Sequence, residues 1–359
     1  MVVVLGTDVH KGTHTTVAVD EVGRELGQRT VRATDAGHRQ LLRWALREFA
    51  EAAAAGGLRF AVEDCRHVSA RLERDLLAAG QQVVRVPPKL MAGARASART
   101  RGKSDPIDAL AIGRAALREP NLPVASHDTV SREVKLLVDH REDLVNERTR
   151  MQNRLRWHLH ELDPELDPTA RSLDRIATLE GIAAWLGARS GAASMLVRIA
   201  TELVGDITAS TARINALERE LTQRMRLLAP RLLALPGCGA LTAAKIVGET
   251  ANVTRFRSEA CFAMHAGAAP IPASSGKTNR YRLARGGNRQ LNAALHRIAV
   301  TQIRLDGPGR SYFQHRIAIG NTKMEALRAM KRRLARVVFN LLRPTTTTQP
   351  AAPTGRGLT

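Results

Sequence analysis

The sequence predicts an α/β first third, a helical coiled-coil linker, and a mainly α, strongly basic last third that carries a helix-hairpin-helix-like motif. Three patterns carry this. Short β-branched apolar runs alternate with helix-period segments over residues 1–128, and a near-3.5-residue apolar repeat runs through 129–230. Residues 231–343 then combine helical periodicity with a dense run of Lys and Arg. The tail, 344–359, is rich in Thr, Pro and Gly and is expected to be disordered.

The first run, residues 1–7, ends in Gly6-Thr7-Asp8, which puts Asp8 at the C-terminal end of a buried strand. Residues 13–20 and 25–33 read as two further strands joined through Glu21-Val22-Gly23. Residues 36–55 place Leu41, Leu42, Trp44, Ala45 and Phe49 at helical spacing and stop at Gly56-Gly57. The next strand, 58–62, is closed by Glu63-Asp64. A helix over 68–79 and a strand over 82–86 lead to Pro87-Pro88. A further helix begins near Asp105-Pro106-Ile107-Asp108, directly after the cations Arg95, Arg99, Arg101 and Lys103.

In mixed sheets, sites gather at the carboxyl ends of strands, where Asp8, Glu63, Asp105 and Asp108 can meet. Four crowded carboxylates raise one another's pKa unless a cation offsets them. Hard oxygen donors select Mg²⁺ or Mn²⁺. Two such ions about 3.5–4 Å apart clamp the attacking and leaving oxygens of a phosphoryl transfer. The competing reading is a plain helix start with Asp105 as N-cap, Pro106 at N1 and Asp108 at N3. Because positions i and i+3 share a helix face, cap and metal site are compatible. Strand alternation lets only one of Glu63 and Asp64 face the metals, and Glu63 is the choice. His10, His14 and His67 lie near these acids, but the absence of paired H-x-x-x-H spacing on a helix argues against histidine ligation.

In the linker, Val134, Val138, Leu144, Val145, Met151, Leu155, Leu159 and Leu162 form one stripe. Leu196, Ile199, Leu203, Ile207, Ile214, Leu217, Leu221 and Leu228 form another. A long antiparallel helix pair follows, either as one chain's own hairpin or between protomers. Leu235-Pro236-Gly237-Cys238-Gly239 then opens into a helix. Its glycine turn has the form of a helix-hairpin-helix whose N-terminal amides hold a DNA phosphate, with Gly237 and Gly239 at the contact.

Composition narrows the function. Lys plus Arg number 55 against 34 Asp plus Glu, a net charge of +21 that favours a polyanion, nucleic acid first. Between Lys277 and Arg343, 16 Lys and Arg face only Asp306 and Glu325. That density reads as a phosphate-binding surface, with Lys277, Arg280, Arg282, Arg285, Arg289, Lys331, Arg332 and Arg333 as candidates. Aromatic residues at 3% make base stacking an unlikely mode of binding. No apolar run is long enough to span a membrane. Cys65, Cys238 and Cys261 are widely spaced, which excludes a sequence-evident zinc site or disulfide framework and suits a reducing cytoplasm.

Gly6-Thr7-Asp8-Val9-His10-Lys11, Val62-Glu63 and Lys103-Ser104-Asp105-Pro106-Ile107-Asp108-Ala109 resemble three sequence blocks of one family. These are the G-x-D-x-x-K, acid and K-[ST]-D-x-x-D-A blocks of the DEDD insertion-sequence transposases of the IS-one-ten type, which include the Piv invertases, within the wider RNase-H/RuvC-like nucleases. Asp64-Cys65-Arg66-His67 departs from the small residue and glycine that commonly follow the family's glutamate. Gly267-Ala268-Ala269-Pro270, followed by Ser274-Ser275-Gly276-Lys277, is similar to the family's second domain, in which the serine before glycine attacks DNA. The match makes Ser275 the nucleophile, with Ser274 the competing choice.

The resemblance implies an RNase-H/RuvC-like metal domain (1–128), a coiled-coil linker that helps assemble protomers (129–230) and a basic domain with the catalytic serine (231–343). It also implies a covalent phosphoserine link to DNA, Mg²⁺ held by Asp8, Glu63, Asp105 and Asp108, and a homo-oligomer, dimer or tetramer, acting on double-stranded donor and target DNA. A bridge RNA that pairs with both DNAs, and a cytoplasmic, nucleoid-associated location, follow from the same likeness. Two other readings use the same residues: a hydrolytic junction resolvase with Ser275 a bystander, and a non-catalytic nucleic-acid-binding protein.

Overall fold

The computed structural model describes residues 2–343 except 65, 89, 92, 94–103, 120–121, 127, 170, 190–194, 275–280 and 285. The chain forms two compact units, Met1–His127 and Asp128–Thr359.

The first unit is built on a five-stranded sheet in the order β3-β2-β1-β4-β5. Its strands are β1 (Val3–Val9), β2 (Thr13–Val19), β3 (Glu25–Arg32), β4 (Leu58–Glu63) and β5 (Gln82–Val86). β2 runs antiparallel to β1 and β3, while β1, β4 and β5 are mutually parallel. That order, with only the second strand reversed, fits the RNase-H-like domain expected from the sequence.

Alternation along the strands divides the core in two. Leu5, Phe60 and Val62 pack with Leu41 and Ala45 of α1 (Asp35–Glu48) and with Leu72 and Leu76 of α3 (Arg66–Ala78). Val4, Val17, Val19 and Ala61 pack on the other face with Ala109, Ile112 and Ala116 of α4 (Asp105–Arg118). The helix expected over 36–55 is two pieces. Phe49 leaves helical geometry at φ −120°, ψ 41°, and α2 (Ala50–Ala54) begins after it. Phe49 stays buried and meets Trp44 edge-on at 5.6 Å, so the break keeps both rings in the core.

The second unit is helical apart from one small hairpin. α5 (Thr129–Leu162) and α7 (Met195–Leu228) are 34 residues each, or about 51 Å at 1.5 Å per residue. They run antiparallel within the chain. Val134 and Val138 share a cluster with Leu221 and Met225, while Leu155 and Leu159 share another with Ala200, Leu203 and Ile207. Of the two pairings left open by the sequence, this is the hairpin within one chain.

Between them lies α6 (Ile176–Gly187), which the apolar spacing did not reveal; its Leu179, Ile182 and Leu186 close the distal cluster. The chain continues through α8 (Pro230–Leu233), α9 (Ala240–Thr250) and α10 (Glu259–His265). A two-stranded antiparallel sheet follows, β6 (Pro270–Pro272) with β7 (Tyr281–Leu283). Helices α11 (Arg289–Arg304), α12 (Pro308–Ala318) and α13 (Lys323–Leu342) complete the unit. Phe262, Leu295, Ile298, Leu334 and Val338 lie at the centre of its core. No described helix is long and apolar enough to cross a membrane.

Candidate functional site

The acid cluster forms where α4 crosses the end of β1. A Cβ on Gly6 would lie 2.2 Å from the Ala109 carbonyl oxygen and 2.3 Å from the Gly113 amide nitrogen. Only glycine lets the helix backbone approach this closely. Two residues further along β1, on the same face, Asp8 meets the first turn of α4. Thr7, on the opposite face, instead bonds Thr16 through their hydroxyls at 2.9 Å.

The cap expected at Asp105 is displaced by one residue. Ser104 is the N-cap, in extended conformation at φ −152°, ψ 155°, with no side-chain cap bond, and Asp105 is the first helical residue. Its carboxylate turns to His10 instead, with Oδ1 3.5 Å from His10 Nε2. The same nitrogen lies 3.2 Å from Asp8 Oδ2. Asp8, His10 and Asp105 thus offer ligand atoms within 4.8 Å of one another. Asp108 is 6% exposed and close enough for its charge to act on Asp8. Burial pushes the Asp8 carboxyl above the usual carboxylate range; His10 opposes the rise, and the Asp108 and Asp105 charges add to it. Such a group of acids holds too little positive charge of its own and is chemically suited to a divalent cation.

Glu63 is half-buried at the end of β4. Thr7 pairs with Val62, so Asp8 and Glu63 follow on the α4 side of the sheet, as Gly6 and Ala61 precede them there. Alternation sends Asp64 to the other side, and its amide bonds the Val86 carbonyl at 3.0 Å. Glu63 stands outside the trio of converging ligand atoms. His10, which the sequence set aside as a ligand for want of a paired histidine on a helix, joins the acids here: its signal was only its place two residues after Asp8, because its second partner, Asp105, is distant in sequence.

On the opposite face of the sheet a second polar group is paired internally in part, with His14 Nδ1 buried and without a hydrogen-bond partner among the described residues. His14 Nε2 and His38 Nε2 are 3.2 Å apart, His38 Nδ1 meets Asp75 at 2.5 Å, and Arg71 neutralises Asp35 at 2.5 Å. Burial, then the neighbouring His38, pulls the His14 pKa down to about 4.

In the second unit the glycine turn divides its labour. Gly237 has φ +84°, and a Cβ there would meet Thr301 Cβ at 3.0 Å and the Ile298 carbonyl at 3.1 Å. Gly239 is the N-cap of α9 and faces open space. Between them Cys238 is buried, and burial pushes its thiol up to about 12, which suits an inert core residue.

The Ser-Gly segment joins β6 to β7, which the sequence did not reveal as strands. Ser274 is exposed. Ser275, Lys277, Arg280 and Arg285, like Arg99, Arg101 and Lys103, lie outside the described residues. Arg282 and Arg289 are exposed, and the exposed Arg333 guanidinium covers the Tyr312 ring at 4.8 Å. Arg332 forks onto Glu259 at 2.5 and 3.1 Å. Lys331 departs from the solvated face expected of a cation run: it is 8% exposed and donates to Asn292 Oδ1 at 3.0 Å.

Comparison with known proteins points one way. Residues 5–164 match the DEDD transposase model of IS110, and residues 229–314 match the model described as transposase IS116/IS110/IS902 family. The chain is 28% identical to the insertion element IS116 uncharacterized 44.8 kDa protein of Streptomyces clavuligerus, over 97% of this chain and 96% of that protein. It is 29% identical to the IS110 uncharacterized 43.6 kDa protein of Streptomyces coelicolor, over 70% and 74%. With the IS900 uncharacterized 42 kDa protein of Mycobacterium paratuberculosis it shares 26%, over 97% and 98%. A solved structure of T. thermophilus RuvC in complex with Holliday junction substrate is 16% identical, covering 35% of this chain and all of that one. Its TM-score of 0.25 is too low for any comparison of geometry. Two family models in the expected order, and two relatives aligned over almost their whole length, lead to one assignment: the chain belongs to the DEDD-type IS110/IS116 family and is a DNA transposase.

Proposed function

We propose that the protein cuts and joins DNA through a serine–phosphate intermediate, with Ser275 as nucleophile and Asp8, Glu63, Asp105 and Asp108 as the carboxylates that hold Mg²⁺ or Mn²⁺. The observation that carries the metal reading is the convergence of Asp8 and Asp105 on one point beside the buried Asp108, with the Asp8 carboxyl raised by burial. When bound, the divalent ion supplies Lewis-acid activation of the phosphate and charge stabilisation of the leaving oxygen. Gly6 sets the depth of the site, α4 supplies two acids from one turn, and His10 holds Asp8 and Asp105 in place through one nitrogen.

The Ser275 hydroxyl attacks a DNA phosphate, a phosphorus–oxygen bond to serine forms, and the strand's own ester oxygen leaves. Attack by a DNA hydroxyl on that link later joins strands and returns the serine. The basic last third binds donor and target duplex, with Gly237, Gly239, Arg282, Arg289, Arg332 and Arg333 as phosphate contacts, together with Arg99, Arg101, Lys103, Lys277, Arg280 and Arg285. A bridge RNA directing the choice of DNA, a dimer or tetramer as the working unit, and action on nucleoid DNA in the cytoplasm complete the reading.

Incubation with a nicked suicide DNA and Mg²⁺ tests it. A protein–DNA adduct should form, and should vanish in Ser275→Ala, in Asp8→Asn and with EDTA. Cleavage that persists without adduct in Ser275→Ala would replace the serine step with hydrolysis by water. Binding without cleavage on any substrate would leave an architectural protein. Sequencing RNA that copurifies with active protein tests the guide, and fully active protein free of RNA would remove it.

A further inference from the structure

A cavity of about 740 Å³ lies beside the hairpin that carries the Ser-Gly segment. Pro270 of β6 and Arg282 of β7 form part of one wall, and Arg316 and Asn321 of and after α12 and Arg328 and Lys331 of α13 form others. Its charge is one-sided. Among the described residues Glu325 is the only carboxylate on the lining; it bonds the Thr322 amide and hydroxyl of its own helix start at 2.9 and 2.8 Å and lies 3.9 Å from the Arg328 guanidinium, which it opposes only in part. Arg332, also on the lining, is neutralised by Glu259. Among the described residues no carboxylate lies within ion-pair distance of Arg282, Arg316 or Lys331.

Lys331 is the unusual member. A buried ammonium costs folding energy unless an anion or several acceptors surround it. Here it has one neutral acceptor, Asn292 Oδ1, and the Asn292 amide nitrogen is itself fixed by the Ala266 and Gly267 carbonyls at 2.9 and 3.0 Å. The lysine is therefore tied to the start of the segment that leads into β6. Burial, then the Arg328 charge, holds its pKa below the ordinary lysine value, the direction expected where a cation lacks its counter-ion. On the same cavity the Arg316 Nε donor is buried with no hydrogen-bond partner among the described residues; the Asn321 Oδ1 acceptor is unpartnered too, and a phosphate does not satisfy it. A donor-rich cavity with this little anionic content fits a phosphate group.

We propose that this cavity is a phosphodiester pocket in which Lys331, with Arg316 and Arg328 around it, grips a backbone phosphate of the DNA strand presented to the Ser-Gly segment. The inference rests on the DNA-joining role proposed above and adds a defined seat for the strand, distinct from contacts on the exposed surface. It also accounts for the lysine's cost: the missing counter-ion is the DNA.

The test is binding of the full chain to a short duplex DNA across a salt series, beside thermal unfolding of the free protein. Lys331→Met and Arg316→Gln should each weaken binding about tenfold and flatten the dependence of log Kd on log salt by about one unit. The Tm of Lys331→Met should stay unchanged or rise, because an unpaired buried charge has been replaced by an apolar chain of similar length. A lysine with only a structural role would lower Tm and leave the salt slope alone. Wild-type affinity and slope in both variants would overturn the proposal. If Lys331→Met unfolds, Arg316→Gln, at a half-exposed residue with no ion-pair partner among the described residues, still decides it. The same series on duplex RNA separates the strands, and a loss seen with RNA alone would overturn the assignment to DNA. Ser275→Ala should bind with the wild-type slope, so failure of the serine step and failure of the pocket give different results.

Discussion

Gly6 and His14 show how much one residue decides on either face of the sheet. With the Ala109 carbonyl 2.2 Å from where a Cβ would sit, Gly6→Ala has to push α4 away from β1. We expect a loss of about 2–3 kcal/mol of stability, the upper part of the range for overpacking. Cleavage should fall more steeply than stability, since Asp105 and Asp108 move with the helix. Urea unfolding and the adduct assay on one preparation would check this, and cleavage at the wild-type level would refute it.

His14 behaves differently. It is 2% exposed and its pKa is lowered to about 4 from 6.5, so between those values the unfolded chain binds a proton that the folded chain refuses. Stability is therefore complete above about pH 6.5 and is lost as pH falls toward 4, by on the order of 3 kcal/mol. In His14→Gln the denaturation midpoint should change less over that window, and an equal pH slope in both proteins would show that other groups carry it.

Among the elements, those that put the acids in place were legible because each rests on a local signal. A β-branched run followed by Asp8 marks a strand end and Asp105-Pro106 marks a helix start, while the choice of Glu63 over Asp64 stays a proposal, since Glu63 lies outside the converging trio. What stayed hidden depends on contacts distant in sequence. His10 in its loop gives no pattern until α4 brings Asp105 to it. The break at Phe49 has no breaker residue to mark it in the sequence; what accompanies it is the edge-on contact with Trp44. β6 and β7 are three residues each, too short for a period to show, and β6 begins and ends in proline. Lys331 sits in the run Lys331-Arg332-Arg333, which reads as solvated, yet Met330, Leu334 and Val338 face the core and carry the lysine inward with them. At Gly237 the sequence pointed to a phosphate contact, while φ +84° and the nearby Thr301 give the glycine a reason within the fold itself. Gly237→Ala should lower stability by about 1–2 kcal/mol, the cost of a left-handed non-glycine residue, whereas Gly239→Ala should leave the fold intact, and thermal unfolding would rank the two.

For the molecule as a whole, the surplus of +21 and the family match agree on nucleic acid, while the long helices of the second unit carry a separate message. Because α5 and α7 run antiparallel, the chain leaves the core near Val138 and returns near Leu221. Beyond that point Leu155, Leu159, Leu179, Leu186 and Ile207 bury one another in a cluster that shares no residue with the main core. The distal half is thus an excursion with its own interior, held by the main core at its root alone. Replacing the segment between Leu144 and Ile214 with a short glycine–serine turn should preserve the melting transition of the remaining core, and a collapse of that transition would show the arm to be integral. An interior of its own makes the arm a module by construction: its length and contacts are set by residues that the core around the serine segment does not share.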